Sequence, residues 1–283
     1  AVFGIGLEQA PRAELAALLQ ALDAAPAPLL ALDVPSGVDA GRGSVPGAAV
    51  RADCTLQFIV AHAGLHTGAA REHTGELLLD TLDVEASLYA DGAPAMAGLL
   101  AGPALRHWLP PRRLDTHKGE SGRVLCVGGD HGGGGAVALC AEAALRAGAG
   151  LVGVATRQAH VAALLSRRPE AMVRAVEEGD ALAPVLETAG VVACGPGLGQ
   201  QAWGQALYRG VLASGRPLVL DADALNLLAH GPSAPADAIL TPHPGEAARL
   251  LGTTTAEIQS DRFGAAQALA CLLYTSDAAD EGL

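Results

Sequence analysis

Apolar residues recur along this chain in two rhythms. Glu14 to Ala24 carries them at helical spacing, while Leu29 to Val34 is a short continuous apolar run closed by Pro35-Ser36-Gly37, a strand entering a loop. A second strand is expected at Cys54 to Val60. From Gly122 onward a strand, a glycine loop and a helix follow one another repeatedly. Strands are expected at Arg123–Val127, Leu151–Thr156, Val191–Gly195, Pro217–Asp221 and Ala238–Thr241. Helices are expected at Ala136–Ala147, stopped by Gly148, and at Ala159–Ser166, Gln201–Ala213, Ala224–Ala229 and Gly245–Leu251. Strands that alternate with helices predict an α/β fold with a mostly parallel, doubly wound sheet. Such sheets gather their ligands at the carboxyl ends of the strands.

The same pattern divides the chain. Residues 1–90 form one block, 91–113 with Pro94, Pro103, Pro110 and Pro111 read as a linker, and 114–270 form a second block. The opening Ala1-Val2-Phe3-Gly4-Ile5-Gly6 reads as a strand already under way inside a domain. At the other end the helical pattern from Asp261 to Ala270 gives way to a short acidic segment, 271–283. That tail is expected to be non-native, with a genuine acidic tail as the alternative.

Composition sharpens this picture. Half of the 283 residues are apolar but only 3% are aromatic, so the cores must be built from Ala, Leu and Val. A net charge of −12 argues against nonspecific binding to nucleic acid or a membrane surface. The five cysteines, none in CxxC spacing, read as buried reduced thiols. No apolar stretch is long enough to span a bilayer, and the first residues are not a signal peptide, so a cytoplasmic enzyme is expected.

Every stretch with chemical potential follows a strand. Six glycines lie between Gly128 and Gly135, ahead of Ala136, where backbone N–H groups and a helix N-terminus suit an anion; a flexible structural turn is the alternative. This spacing is neither GxGxxG nor a P-loop. Gly195-Pro196-Gly197-Leu198-Gly199 can leave bare backbone against a ligand or serve only as a tight turn. In Leu220-Asp221-Ala222-Asp223-Ala224-Leu225-Asn226, Asp221 is expected to cap or brace while Asp223 and Asn226 face the cleft. Pro242 and Pro244 fix the backbone around His243, and Glu246 starts the next helix. In the first block, Asp33 and Ser36 bracket a strand end, and Gly4 and Gly6 form a turn.

Taken in order, LALDVPSGVDA, HAGLHTGAAREHTGEL, HKGESGRVLCVGGDHGGGGA, AALRAGAGLV, RPEAMV, GPGLGQ, LDADALNLL and TPHPGEAARLLG resemble the bifunctional NAD(P)H-hydrate repair enzymes. The resemblance runs from residue 1 to about Ala270. It implies a ribokinase-like ADP/ATP-dependent dehydratase domain preceded by the C-terminal part of a Rossmann-like epimerase domain. The implied substrates are the hydrates of NADH and NADPH together with ADP or ATP, with Mg²⁺ and K⁺ as ions and a homo-oligomer as the assembly. By motif match, Ala136, Gly197, Gly199 and His243 line the hydrate site, and Lys118, Asp223, Asn226 and Glu246 lie near the nucleotide phosphates or their Mg²⁺. In the epimerase part, Gly4 to Ala10 touch substrate phosphates, Asp33 the substrate, and Ser36 a K⁺ ion.

The departures are as informative. The family's upstream Asn-rich loop and K⁺-binding Asp are absent, as are its Lys-Gly-Ala nucleotide loop and the Gly-x-Gly-Asp segment that carries the catalytic Asp. No catalytic residue is therefore assigned, and residues 1–283 read as a fragment with little or no turnover. Two other readings compete: a small-molecule kinase of the ribokinase superfamily, and a noncatalytic nucleotide-binding protein.

Overall fold

The structure, a computed structural model, describes residues 2–85, 87, 95–100, 102–109 and 111–280, with side chains left undescribed at 107 and 273–280. The end of the expected tail, beyond 280, and residues 91–94, 101 and 110 of the expected linker lie outside these residues. The chain resolves into two compact units, one of Ala1–Pro110 with Thr255–Gln267, the other of Pro111–Thr254 with Ala268–Leu283. The segment after Thr254 thus joins the first unit, where Asp261 lies 3.7 Å from the Arg42 guanidinium.

In the first unit, helix α1 (Ala13–Asp23) precedes strands β1 (Leu30–Leu32), β2 (Cys54–Phe58) and β3 (Glu76–Asp80). The three pair in parallel in that order. The sequence reading misses β3, whose run of three leucines alternates only weakly with polar residues. Val34, Val38, Ala40, Leu65 and Ala70 form the core beside the sheet. Val2 to Gly6 are loop, not strand. The Val2 and Phe3 N–H groups are satisfied by the Ser36 hydroxyl at 2.9 and 3.0 Å instead of by a neighbouring strand.

The second unit carries a six-stranded parallel sheet. Its strands are β4 (Arg123–Val127), β5 (Leu151–Thr156), β6 (Met172–Ala175), β7 (Val191–Cys194), β8 (Leu218–Leu220) and β9 (Ile239–Leu240). They lie in the order β6-β5-β4-β7-β8-β9. The chain winds outward from β4 to β6, then returns to the other side of β4 and winds outward again to β9. The reversal between β4 and β7 is a topological switch point.

Alternation within the strands feeds two cores. Leu125, Val127 and Ala155 face a large cluster with Leu207, Val211, Leu220 and Leu225. Cys126, Val152 and Val154 face the opposite side, with Val137, Ala141 and Leu164. Burial on both faces explains why these strands read as continuous apolar runs. Helix Gly134–Ala147 covers one face and ends at Gly148 with φ 105, the left-handed conformation glycine adopts without strain. The last helix, Arg262–Asp280, continues ten residues past Ala270, so the acidic segment extends a helix instead of breaking off.

Candidate functional site

The two glycine loops meet at the switch point because neither has side chains there. The Gly129 N–H donates to Pro196 O at 3.1 Å and the Asp130 N–H to Gly197 O at 2.6 Å. A Cβ on Gly133 would lie 2.5 Å from Gly197 O, and one on Gly197 2.5 Å from Gly133 O. The backbones pass too closely for any other residue at either position. Gly197 and Gly199 also hold φ of 62 and 73.

The helix Asp223–Leu228, which follows β8, braces this junction. Asp223 Oδ2 accepts from the Gly199 N–H at 2.9 Å, and Oδ1 accepts from Gln200 Nε2 at 3.2 Å and Asn226 Nδ2 at 3.4 Å. Asn226 Oδ1 in turn accepts from Arg249 Nη1 at 2.5 Å. Asp221 braces as expected, taking the Thr241 hydroxyl at 3.0 Å. Ala222, between the two aspartates, holds φ 49 and ψ −116, a conformation costly for a residue with a Cβ.

His243 caps helix Pro244–Leu251. Its Nδ1 accepts from the Gly245 N–H at 3.0 Å, so Nδ1 carries no proton and Nε2 does. That Nε2 lies 3.1 Å from Glu246 Oε1, while Glu246 Oε2 accepts the His243 N–H at 2.9 Å. Glu246 is therefore buried and fully engaged in a capping box. The imidazole remains 62% exposed on the rim. Ala136 stands exposed in the first turn of the helix opposite. Three strand spacings, about 14 Å, separate the β4 and β9 ends and so the two walls of the cleft.

Lys118 is not brought to this rim. It lies in the turn Lys118–Ser121, whose Ser121 O accepts from the Gly150 N–H ahead of β5. That places it at the amino ends of β4 and β5, opposite the glycine loops, because the residue precedes its strand while the loops follow theirs.

The sequence reading passes over the support behind Asp130. Arg157 Nε donates to Asp130 Oδ1 at 2.9 Å and Nη1 to Glu177 Oε2 at 2.8 Å. Its guanidinium stacks 4.4 Å over Trp203, whose Nε1–H donates to Val176 O. Burial pushes the Asp130 carboxyl upward, but the Arg157 hydrogen bond and the His131 backbone N–H outweigh it and hold the group below the usual carboxylate range. Four elements from distant parts of the sequence make this cluster, so no local motif announces it. Arg249 is also missed, although its place one turn after Glu246 puts both on one helix face.

Among the described residues no three His, Cys, Asp or Glu side chains gather to hold a metal. Asp221 and Asp223 are two of the carboxylates at the cleft. They fit Mg²⁺, which is ordinarily held by one or two carboxylates plus substrate phosphates.

In the first unit, Asp33 holds φ 69 at the end of β1, and its Oδ1 lies 3.0 Å from His62 Nε2. The Ser36 hydroxyl, besides accepting from Val2 and Phe3, donates to Phe3 O at 3.2 Å. That leaves it no free lone pair for K⁺ in this arrangement. Gly4 is exposed, with open space around its Cα.

Comparison with known proteins bears on both units. Residues 1–64 match the YjeF-related protein N-terminus family. The bifunctional NAD(P)H-hydrate repair enzyme Nnr of Escherichia coli is 48% identical over 269 residues, covering 95% of this chain and 52% of that protein. Its Coxiella burnetii counterpart is 47% identical over 265 residues, with 94% and 54% covered. The chain thus spans about half the length of these relatives. A crystal structure of a ribokinase-like superfamily protein from Enterococcus faecalis superposes with a TM-score of 0.50 at 35% identity, covering 55% of this chain and 58% of that one. Residues 124–274, more than half of the chain, match the NAD(P)H-hydrate dehydratase family, and the chain belongs to that family.

Proposed function

We propose that the protein repairs hydrated NAD(P)H, its second unit removing water from the S-hydrate at the expense of ADP or ATP and its first unit interconverting the R- and S-hydrates. The observation that carries this reading is the junction of bare backbone at Gly133 and Gly197, locked by Asp223, in a chain of the dehydratase family. Loss of water needs the hydroxyl turned into a better leaving group. Phosphoryl transfer from the nucleotide does this, and departure of phosphate with loss of a proton from the neighbouring ring carbon then gives NAD(P)H. The protein's share is positioning and charge stabilisation.

Ala136, Gly197, Gly199 and His243 are assigned to the hydrate, with the exposed imidazole of His243 forming part of the rim. Asp223 and Asn226 border the nucleotide phosphates, with Arg249 as a cation beside them. Glu246 acts through His243 by fixing the orientation of its imidazole. Lys118, at the opposite rim, is left out. Mg²⁺, when bound, neutralises phosphate charge. In the first unit Asp33, paired with His62, is assigned to the substrate and the Gly4 turn to its phosphates.

Titration of S-NADH hydrate into the protein tests this directly. Saturable binding is expected, weakened at least ~10-fold, about 1.4 kcal/mol, by His243→Ala. Absent binding, or binding indifferent to that change, overturns the assignment. Turnover is read as regained NADH absorbance with ADP or ATP, in a chain that includes the family's Gly-x-Gly-Asp segment. A stable phosphorylated small molecule in its place would make the protein a kinase.

A further inference from the structure

A cavity in the second unit lies away from the glycine loops, against the flank of the sheet at the starts and middles of β4, β5 and β6. It encloses about 520 Å³, within the roughly 300–1,000 Å³ of small-molecule sites. Its floor is Gly153, which pairs with Leu125 on one side and Met172 on the other. A Cβ on Gly153 would lie 3.2 Å from Leu125 Cδ1, so a larger residue there would crowd this part of the lining. Pro184 and Thr188 close the far wall.

The charge of the lining is unusual for this protein. The sequence has 30 acidic residues against 18 Lys and Arg, yet two arginines, Arg123 and Arg174, line the cavity and no carboxylate does. Several arginines elsewhere in the unit pair with carboxylates, Arg157 with Asp130 and Glu177, and Arg146, Arg167 and Arg168 with Glu142. The Arg123 Nε–H is the one buried side-chain polar group among the described residues with no hydrogen-bond partner. Its Nη2 finds only the Met172 thioether, at 3.8 Å. An unpaired buried donor costs free energy, and a guanidinium without a carboxylate partner is a group that a phosphate or carboxylate takes in charge-assisted hydrogen bonds.

We propose that this cavity is a second ligand site, for a small organic anion with a phosphate or carboxylate group on an apolar body. The acid group would take the Arg123 and Arg174 guanidiniums, and the body would lie over Gly153 against Met172 and Pro184. The site shares no residue with the glycine loops and stands independently of the hydrate reading.

Calorimetric titration with phenyl phosphate, and with phenol as its uncharged counterpart, tests the proposal at low ionic strength. Phenyl phosphate is expected to bind saturably and phenol not at all. Arg174→Gln, at an exposed position, and Arg123→Gln should each weaken binding at least ~10-fold. Gly153→Val should abolish it with both charges intact, circular dichroism reporting that the fold persists. If Gly153→Val fails to fold, the two arginine variants decide alone. No saturable binding, equal binding of phenol, or affinity that survives both arginine changes overturns the site; the last would place the anion at the glycine loops.

Discussion

Ala222 sits at φ 49 and ψ −116 between Asp221, which braces β9, and Asp223, which locks the Gly195–Gly199 turn. Residues forced into sparsely populated backbone regions cost about 1–3 kcal/mol and persist where their surroundings over-determine them. Here the two aspartates fix the backbone on either side. Ala222→Gly should remove that strain, offset by about 0.4–1 kcal/mol from the freer unfolded chain. A net stabilisation of ~1 kcal/mol is expected, measured as a higher denaturant midpoint at unchanged slope. Asp223→Ala should act in the opposite sense. It strands the Gly199 N–H and frees the turn, costing about 1–3 kcal/mol.

The helices are held by contacts that local pattern does not contain. Glu142, on helix Gly134–Ala147, is buried to 9% exposure and takes hydrogen bonds from Arg168, Arg167 and Arg146. Arg168 first, then Arg167, hold its carboxyl down at about 2, far below an unperturbed glutamate. Because the folded value is depressed, this stabilisation is complete above the unfolded value of about 4.3 and is lost as pH falls towards 2. Glu142→Gln should therefore lower the melting temperature near neutral pH, and the gap to the parent should close across that acidic window. A gap of constant size from neutral pH to about pH 2 would show that the ion cluster contributes nothing.

Over the whole molecule, the formal charge of −12 sets a self-repulsion that salt screens. Raising ionic strength from about 0.01 M to 0.15 M shortens the Debye length from about 30 to 8 Å. The melting temperature should rise over that range, most steeply at its low end. A fall would mean that ion pairs such as those around Glu142 dominate the balance.

Legibility followed locality. Most strands and helices of the second unit lie within about two residues of their expected bounds, because apolar runs and glycine stops are local signals. Strands β3 and β6 were not expected, since Glu76–Asp80 and Met172–Ala175 are half exposed and carry no clean alternation. Both glycine loops, Asp223, Asn226 and His243 were visible as residues at strand ends. The sequence alone thus determined the α/β class, the parallel sheet and the family to which the chain belongs, since each rests on residues near one another along the backbone. Tertiary structure decided which strand ends are neighbours. It set Gly133 against Gly197, moved Lys118 to the far rim, engaged Ser36 with Phe3, and gathered Asp130, Arg157, Glu177 and Trp203 from distant segments. In the second unit strand order governs these contacts, and order is fixed only when the sheet winds out from β4 and back.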